Sequence, residues 1–244
     1  MILVLQFRTD QSGSHEVSCI YEAGEVPYNA YSFLNVNSNN ILQREITHLA
    51  DMSSAIILGG MGESGYSTET EDEKEELKRI REKMLPLIRE WIEDGENVMG
   101  MCFGHQLIGD ALGVEVAQPD DEKETGVAEI FLTEKGMKDP LLGDFEGSFK
   151  AVVGHKSSLM NLPEEAVHLA YSEAHEWQGF RINNTYSFQF HPELNYQDLV
   201  ERLEMYPEYT VNSIDYEKPE ELKAKEILQR FIQKSFDSDP PFEI

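Results

Sequence analysis

The chain has 244 residues, of which 46 are Asp or Glu and 20 are Lys or Arg, so its formal net charge is −26. A polyanion would have to approach a strongly negative surface, which argues against nucleic acid or an anionic membrane as a partner. The length fits one domain that buries a central sheet on both faces.

The first half contains three short apolar runs typical of buried parallel strands: Ile2 to Phe7, Ser54 to Leu58 and Asn97 to Met101. Apolar residues at steps of three and four predict an amphipathic helix at about Asp72 to Glu93. Pro86 lies inside it and is expected to kink the helix or to divide it in two. The second and third strands and the helix between them form a βαβ unit, whose crossover is right-handed in nearly every known case.

The second half begins with a helix predicted from Phe103 to Leu112, which ends before Gly113. Short strand candidates then follow one another: Thr125 to Thr133, Ser148 to Val153, Val167 to Ser172, Gln178 to Ile182 and Thr185 to Phe190. Two helices are predicted at about Tyr196 to Met205 and Pro219 to Lys234. This order predicts an α/β fold with a mostly parallel central sheet and a partly antiparallel extension. Residues 1–236 are expected to form one domain and residues 237–244 a flexible tail.

The segment from Gly100 to Gln106 places a cysteine between two glycines, at the end of an apolar run and the start of a helical one. This pattern predicts a thiol on a sharp strand-to-helix turn, as for the serine nucleophile of α/β-hydrolases. Unpaired N–H groups and the helix dipole favour a thiolate there. A buried cysteine taken alone is more often a small core residue. In this context, Cys102 is the candidate nucleophile.

A candidate base and its orienting carboxylate follow the last predicted strand, at His191 and Glu193. Residues i and i+2 of an extended chain project to the same side, so Glu193 can meet the His191 ring. The carboxylate would select the tautomer and stabilise the imidazolium. An isolated histidine is more commonly satisfied by the backbone, and Glu193 could be a solvated surface charge. Together with Cys102, the pair predicts a catalytic triad.

At these residues the sequence resembles the class I, or triad, glutamine amidotransferases, especially stand-alone members related to the glutamine-hydrolysing domain of GMP synthase. The motifs that carry the resemblance are, in the family's order, Gly59-Gly60-Met61-Gly62, Gly100-x-Cys102-x-Gly104-His105-Gln106 and Gln189-Phe190-His191-Pro192-Glu193. We therefore expect a flavodoxin-like three-layer sandwich, with the site at the carboxyl ends of the sheet strands. No cofactor is expected.

The substrate needs further contacts besides the triad. Attack on a carboxamide creates an oxyanion, for which the backbone N–H groups of Gly60 and Phe103 are the expected donors. The resemblance implies that Gln106 contacts the α-amino acid end of the substrate, and that His155 lies in a loop over the glutamine pocket. Gly62, in the segment around Met61 to Ser67, is expected to help bind the substrate.

The function that follows is hydrolysis of the γ-carboxamide of glutamine through a γ-glutamyl thioester. An amidotransferase passes the ammonia to an acceptor enzyme, and no Gly-rich phosphate loop occurs in the sequence, so a synthetase would be a separate protein. One alternative is a stand-alone γ-glutamyl hydrolase or peptidase that acts on γ-glutamyl amides or peptides. Another is a non-catalytic binding relative, which has no physical need of a full triad.

The remaining titratable residues suggest neither a metal nor a disulfide. Four histidines are scattered without metal-ligand spacing: His15, His48, His168 and His175. Pairing the two cysteines, Cys19 and Cys102, would consume the nucleophile. No signal peptide and no apolar run of about 20 residues is present, so a reducing cytoplasm is the expected compartment.

Overall fold

The computed structural model describes residues 1–37, 41–62, 65–118, 124–206 and 222–237. Strands and helices alternate in the first half: β1 (Ile2–Gln6), α1 (Ser12–Gly24), β2 (Tyr31–Asn35), α2 (Gln43–Asp51), β3 (Ala55–Leu58), α3 (Glu71–Asp94), β4 (Val98–Met101) and α4 (Phe103–Ala111). The strands β3 and β4 and the long helix α3 between them were all predicted from the sequence. The elements α1, β2 and α2 have no counterpart in the sequence prediction.

The second half is rich in strands: β5 (Val116–Ala117), β6 (Glu124–Leu132), β7 (Ser148–His155), β8 (Ser158–Leu159), β9 (Val167–Tyr171), β10 (Gly179–Ile182) and β11 (Thr185–Phe188). The final two helices are α5 (Tyr196–Met205) and α6 (Lys225–Asp237). The start predicted for the last helix, at Pro219, and residues 238–244 of the predicted tail lie outside the described residues.

One sheet of nine strands, in the order β2-β1-β3-β4-β11-β10-β9-β6-β7, organises the chain. The strands from β2 to β11 pair in parallel, and those from β11 to β7 pair antiparallel. The expected α/β fold, with a parallel centre and an antiparallel extension, is confirmed. Because β4 and β11 are parallel neighbours, the residues that follow them emerge at the same edge of the sheet.

Both faces of β1, β3 and β4 are buried, which explains why their sequences are mainly apolar. On one face, Ile2 and Val4 of β1 pack in a cluster with residues of α1 and α6. On the other face, Leu3 and Leu5 pack with residues of α2, α3 and α4. The sheet is therefore the middle layer of three.

Helix α3 is continuous through Pro86, so the expectation that proline divides it in two is wrong. Proline removes one backbone hydrogen bond, but Met84, Leu87 and Ile88 around it are buried against the sheet and hold the helix together. Its N-terminus is closed by a capping box between Thr70 and Glu73.

Among the described residues, no helix combines the length and apolar character needed to cross a membrane.

Candidate active site

Cys102 occupies the turn between β4 and α4 with a backbone φ of 51° and ψ of −102°. A positive φ is uncommon for a residue other than glycine and is found where the surrounding structure enforces it. Here the Cys102 N–H donates to the Phe188 carbonyl at 2.9 Å, and the Cys102 carbonyl accepts from the Gln106 N–H at 3.1 Å. The thiol therefore sits at the N-terminus of α4, in the predicted elbow geometry.

The flanking glycines let α4 begin directly against the sheet. A Cβ at position 104 would lie 2.3 Å from the Leu58 carbonyl oxygen, and one at position 100 would lie 2.7 Å from the Gly104 backbone. The Gly104 N–H also donates to the Gly59 carbonyl at 3.1 Å. Glycine is thus required here for close packing of backbone on backbone.

His191 and Glu193 lie next to each other at the carboxyl end of β11. The Nδ1 atom of His191 is 2.8 Å from Glu193 Oε1, both side chains are buried, and the backbone N–H of His191 donates to Val152. This use of Nδ1 leaves Nε2 available to another partner, and Cys102 is close enough for its charge to act on the ring. The Cys102 thiol donates to the Gly154 carbonyl at 3.7 Å. The structure thus brings the three predicted triad residues together.

The charges of this trio favour an imidazolium. Burial alone would lower the pKa of His191, but the negative charges of Glu193 and Cys102 and their hydrogen bonds raise it to about 9. Burial opposes ionisation of Glu193 as well, yet His191 keeps the pKa of that carboxyl below its ordinary value. Such an arrangement holds a proton ready for a departing nitrogen.

Of the two expected oxyanion donors, the Phe103 N–H opens α4, where the first N–H groups have no partner within the helix. The Gly60 N–H instead donates to Glu16 Oε1 at 2.8 Å, which is at odds with its expected role. Glu16 is fully buried and also accepts from Arg8 Nε at 3.0 Å. A buried carboxylate requires such donors.

The thiol cleft, with an empty volume of about 360 Å³, opens beside Cys102 and is lined by Gly62, Tyr66, Cys102, Phe103, Gln106 and Lys156 among others. Two predicted substrate-binding residues, Gly62 and Gln106, are therefore in its wall. The amide Nε2 of Gln106 donates to the Ser157 carbonyl at 2.7 Å and to Gln189 Oε1 at 3.2 Å. These contacts connect the Gln106 side chain, which projects from α4, to the segments that follow β7 and β11.

His155 also belongs to the wall of the thiol cleft, but its ring is fully buried. Its Nε2 lies 3.1 Å from Glu124 Oε2, and its Nδ1 lies 3.3 Å from Ser158 Oγ. Glu124 on β6 lies opposite His155 on β7, and its carboxylate binds the ring in the protein interior. The expected contact between this ring and the substrate is therefore not supported.

The model of the family described as glutamine amidotransferase class-I matches residues 26–202, which include the elbow, His191 and Glu193. The chain belongs to the class-I glutamine amidotransferase family. A crystal structure of a glutamine amidotransferase from Thermotoga maritima matches the fold with a TM-score of 0.73 at 19% identity, covering 97% of this chain and 98% of that one.

Several curated proteins are similar to this class-I amidotransferase chain. Glutamine amidotransferase-like protein YfeJ of Salmonella typhimurium is 39% identical over 109 residues, which are 44% of each chain. Gamma-glutamyl peptidase 4 of Arabidopsis thaliana is 29% identical over 50% of this chain and 51% of its own. The glutamine-hydrolyzing GMP synthase subunit of Methanosphaera stadtmanae is 32% identical over 41% of this chain and 52% of its own. The matched stretches thus span about half the length of each relative.

A second cleft of this amidotransferase-family chain was not predicted. The arginine cleft, with an empty volume of about 520 Å³, is lined by Arg8, His191, Leu194, Leu199, Arg202 and Tyr206 among others. The position of Arg8, two residues after β1, could have indicated it, since that strand ends at the edge of the sheet that carries the site. No local signal marks Arg202, which lies within α5.

Outside the triad, His15 and Cys19 on α1 and Asp198 on α5 offer ligand atoms within 4.8 Å of one another. The expectation that the histidines lack metal-ligand spacing is therefore wrong for His15. The guanidinium of Arg202 donates from Nε to His15 Nδ1 at 3.1 Å, so this nitrogen already has a partner. The two cysteines are both free thiols.

Proposed function

We propose that the protein hydrolyses the γ-carboxamide of glutamine through a γ-glutamyl thioester and releases glutamate and ammonia. The observation that carries this proposal is the joint geometry of the triad: a cysteine on a positive-φ elbow at a helix N-terminus, beside a histidine bonded to a buried glutamate. Membership in the class-I amidotransferase family supports it.

In the first step, the Cys102 thiolate attacks the γ-carbonyl carbon, and the electron pair of the C=O bond moves to the oxygen. The Phe103 N–H is available to stabilise this oxyanion. When the tetrahedral intermediate collapses, the C–N bond breaks and His191 gives its proton to the departing ammonia. Water then attacks the thioester with His191 as base, the C–S bond breaks, and glutamate leaves.

The thiol cleft is the proposed binding site of the γ-glutamyl group. Gly62 and Gln106, in its wall, would hold the α-amino acid end while the carboxamide lies against Cys102. Gly60 could join Phe103 as an oxyanion donor only after its N–H leaves Glu16. A role for His155 would be to support the wall through Glu124 rather than to touch the substrate.

A separate synthetase that accepts the ammonia is the proposed partner. The similarity to the GMP synthase subunit of Methanosphaera stadtmanae, which is by its name one part of a larger enzyme, supports this arrangement. A reducing cytoplasm is the proposed compartment, because it keeps the Cys102 thiol free.

A second candidate function is hydrolysis of γ-glutamyl peptides. It is favoured by the arginine cleft, which offers space on the His191 side of the site, where the departing nitrogen receives its proton. Ammonia needs no such space. The similarity to gamma-glutamyl peptidase 4 of Arabidopsis thaliana also supports this candidate.

Glutamate release by purified protein tests both candidates, with glutamine and γ-glutamyl-leucine as substrates. Cys102→Ala should abolish release from either substrate, whereas Cys19→Ala, which changes the other thiol, should retain it. Full turnover by the Cys102→Ala protein would refute the thiol mechanism. The preferred substrate decides between the two candidate reactions.

A further inference from the structure

The thiol cleft and the arginine cleft meet at the reacting groups. Among the described residues, Cys102 lines the first cleft and His191 lines the second, while Met61, Gly62 and Gly154 line both. A scissile bond that is attacked by Cys102 and protonated by His191 must therefore lie at the junction. If the γ-glutamyl group fills the thiol cleft, the leaving nitrogen and whatever it carries point into the arginine cleft.

The wall of the arginine cleft carries cationic side chains, although the protein as a whole is strongly acidic. Its described residues include two arginines and a histidine but no Asp or Glu, in a chain with a net charge of −26. The nearby carboxylates have other partners, since Glu16 pairs with Arg8 and Glu193 pairs with His191. Because these two pairs compensate the charges of Arg8 and His191, the positive charge that remains for a ligand is that of Arg202.

Of the two arginines that line the cleft, Arg8 and Arg202, the charge of Arg202 is less well compensated. Only 8% of the residue is exposed, and its Nε and Nη2 lie 3.1 and 3.0 Å from Nδ1 of His15. Burial and the charge of Arg202 lower the pKa of His15, so this partner is neutral near pH 7. Arg8, by contrast, is bonded directly to the carboxylate of Glu16.

Most of the rest of the wall is apolar, apart from the hydroxyl-bearing residues Thr125 and Tyr206. Leu194, Leu199 and Leu203 lie beside Arg202, and Val152 and Val153 of β7 complete the surface. A ligand that matches this cleft has a carboxylate next to an aliphatic or other apolar side chain.

We infer that the arginine cleft binds the leaving group of a γ-glutamyl substrate, as an α-amino acid or dipeptide whose free carboxylate pairs with Arg202 and whose apolar side chain packs on the leucines of α5. This inference rests on the proposed hydrolysis at Cys102 and names the substrate class of the second candidate function. The carboxylate contact would be a charge-assisted hydrogen bond, the stronger kind in proteins.

The test compares γ-glutamyl-leucine with γ-glutamyl-leucinamide, which has the same side chain but no carboxylate. We expect kcat/KM to favour the acid by about tenfold or more. In Arg202→Leu this ratio should fall towards one, in Arg202→Lys it should be partly kept, and in Arg79→Leu, an exposed arginine outside the cleft, it should match the wild type. Calorimetry with Cys102→Ala protein should show tighter binding of the acid without any turnover.

The outcomes separate this inference from the proposed function. Equal kcat/KM values for acid and amide, or turnover of glutamine but of neither dipeptide, would overturn the leaving-group site and leave glutamine hydrolysis standing. Equal binding of acid and amide to Cys102→Ala protein would overturn the site even if no substrate is turned over. Glutamate release that persists in Cys102→Ala would instead refute the thiol mechanism.

Discussion

His191 Nδ1 lies 2.8 Å from Glu193 Oε1, with one proline between the two residues in the chain. The pair is buried at the end of β11, and the Cys102 elbow follows the parallel neighbour β4. His191 and Glu193, which follow β11, thus meet a thiol that is distant in the sequence only because β11 and β4 are neighbours in the sheet.

The first prediction concerns the pH dependence of stability. The pKa of His191 is raised from 6.5 to about 9, so the protonated ring stabilises the fold fully below about pH 6.5, and this contribution is lost as the pH rises through about 9. It amounts to at most about 3 kcal/mol. Glu193→Gln removes the carboxylate charge and should lower the pKa of His191, which shrinks the loss of stability over this range.

Urea unfolding between about pH 5.5 and 10, a range that extends about one unit beyond each pKa, measures this effect. The exposed Glu173→Gln serves as the control for loss of one acidic charge, and its pH dependence should follow that of the wild type. An unchanged slope in Glu193→Gln would show that this carboxylate does not hold the proton on His191.

The second prediction concerns the packing of the elbow. Gly104→Ala would place a methyl carbon 2.3 Å from the Leu58 carbonyl oxygen, so the start of α4 must move away from the sheet. We expect a loss of about 1–3 kcal/mol in the free energy of unfolding, together with reduced glutamate release, because Cys102 moves with the helix. Gly154→Ala is the stability control, since its added carbon would meet no atom within 4 Å. Equal stability of both variants would contradict this account.

The parts of the fold that the sequence predicted are those with a local signal. The parallel strands β1, β3 and β4 are buried on both faces and have mainly apolar sequences, while α3 has a clear apolar stripe and a capping box. By contrast, α1 includes Gly13, Gly24 and several serine residues, which are weak helix formers. Its helix depends on the burial of Ile20 and Ala23 against the rest of the protein, which no local pattern encodes.

The same distinction applies to the site. The elbow and the His191–Glu193 pair are short motifs, and strand ends of one parallel sheet meet at one edge, so their assembly could be predicted. The bond from Gly60 to Glu16 spans 44 residues and joins a glycine loop to a helix that was not predicted. Pairing of β6 with β7 likewise turns His155 towards Glu124. Such contacts depend on tertiary packing.

The third prediction concerns the buried ion pair behind the glycine loop. Glu16→Gln keeps an oxygen that can accept from the Gly60 N–H, but it removes the charge that compensates Arg8. Breaking a buried ion pair on one side costs about 3–5 kcal/mol. Urea unfolding should show a loss of this size, while Glu22→Gln, an exposed change on the same helix, should cause almost none. A loss below about 1 kcal/mol would fall in the range of a surface pair and contradict the proposed importance of this charge.

The last prediction separates the two thiols by their reactivity. Cys19 is 2% exposed within an apolar cluster, and burial, followed by the charges of Asp198 and Glu193, raises the pKa of its thiol. Cys102 is 7% exposed, but it lines the thiol cleft at the N-terminus of α4, where a reagent can reach it. Iodoacetamide at neutral pH should therefore add one label to the native protein, at Cys102, and a second only after denaturation. Intact-mass measurement should find no label on native Cys102→Ala and one on native Cys19→Ala. Labelling of both thiols at similar rates in the native protein would mean that Cys102 gains no reactivity from its place on the elbow.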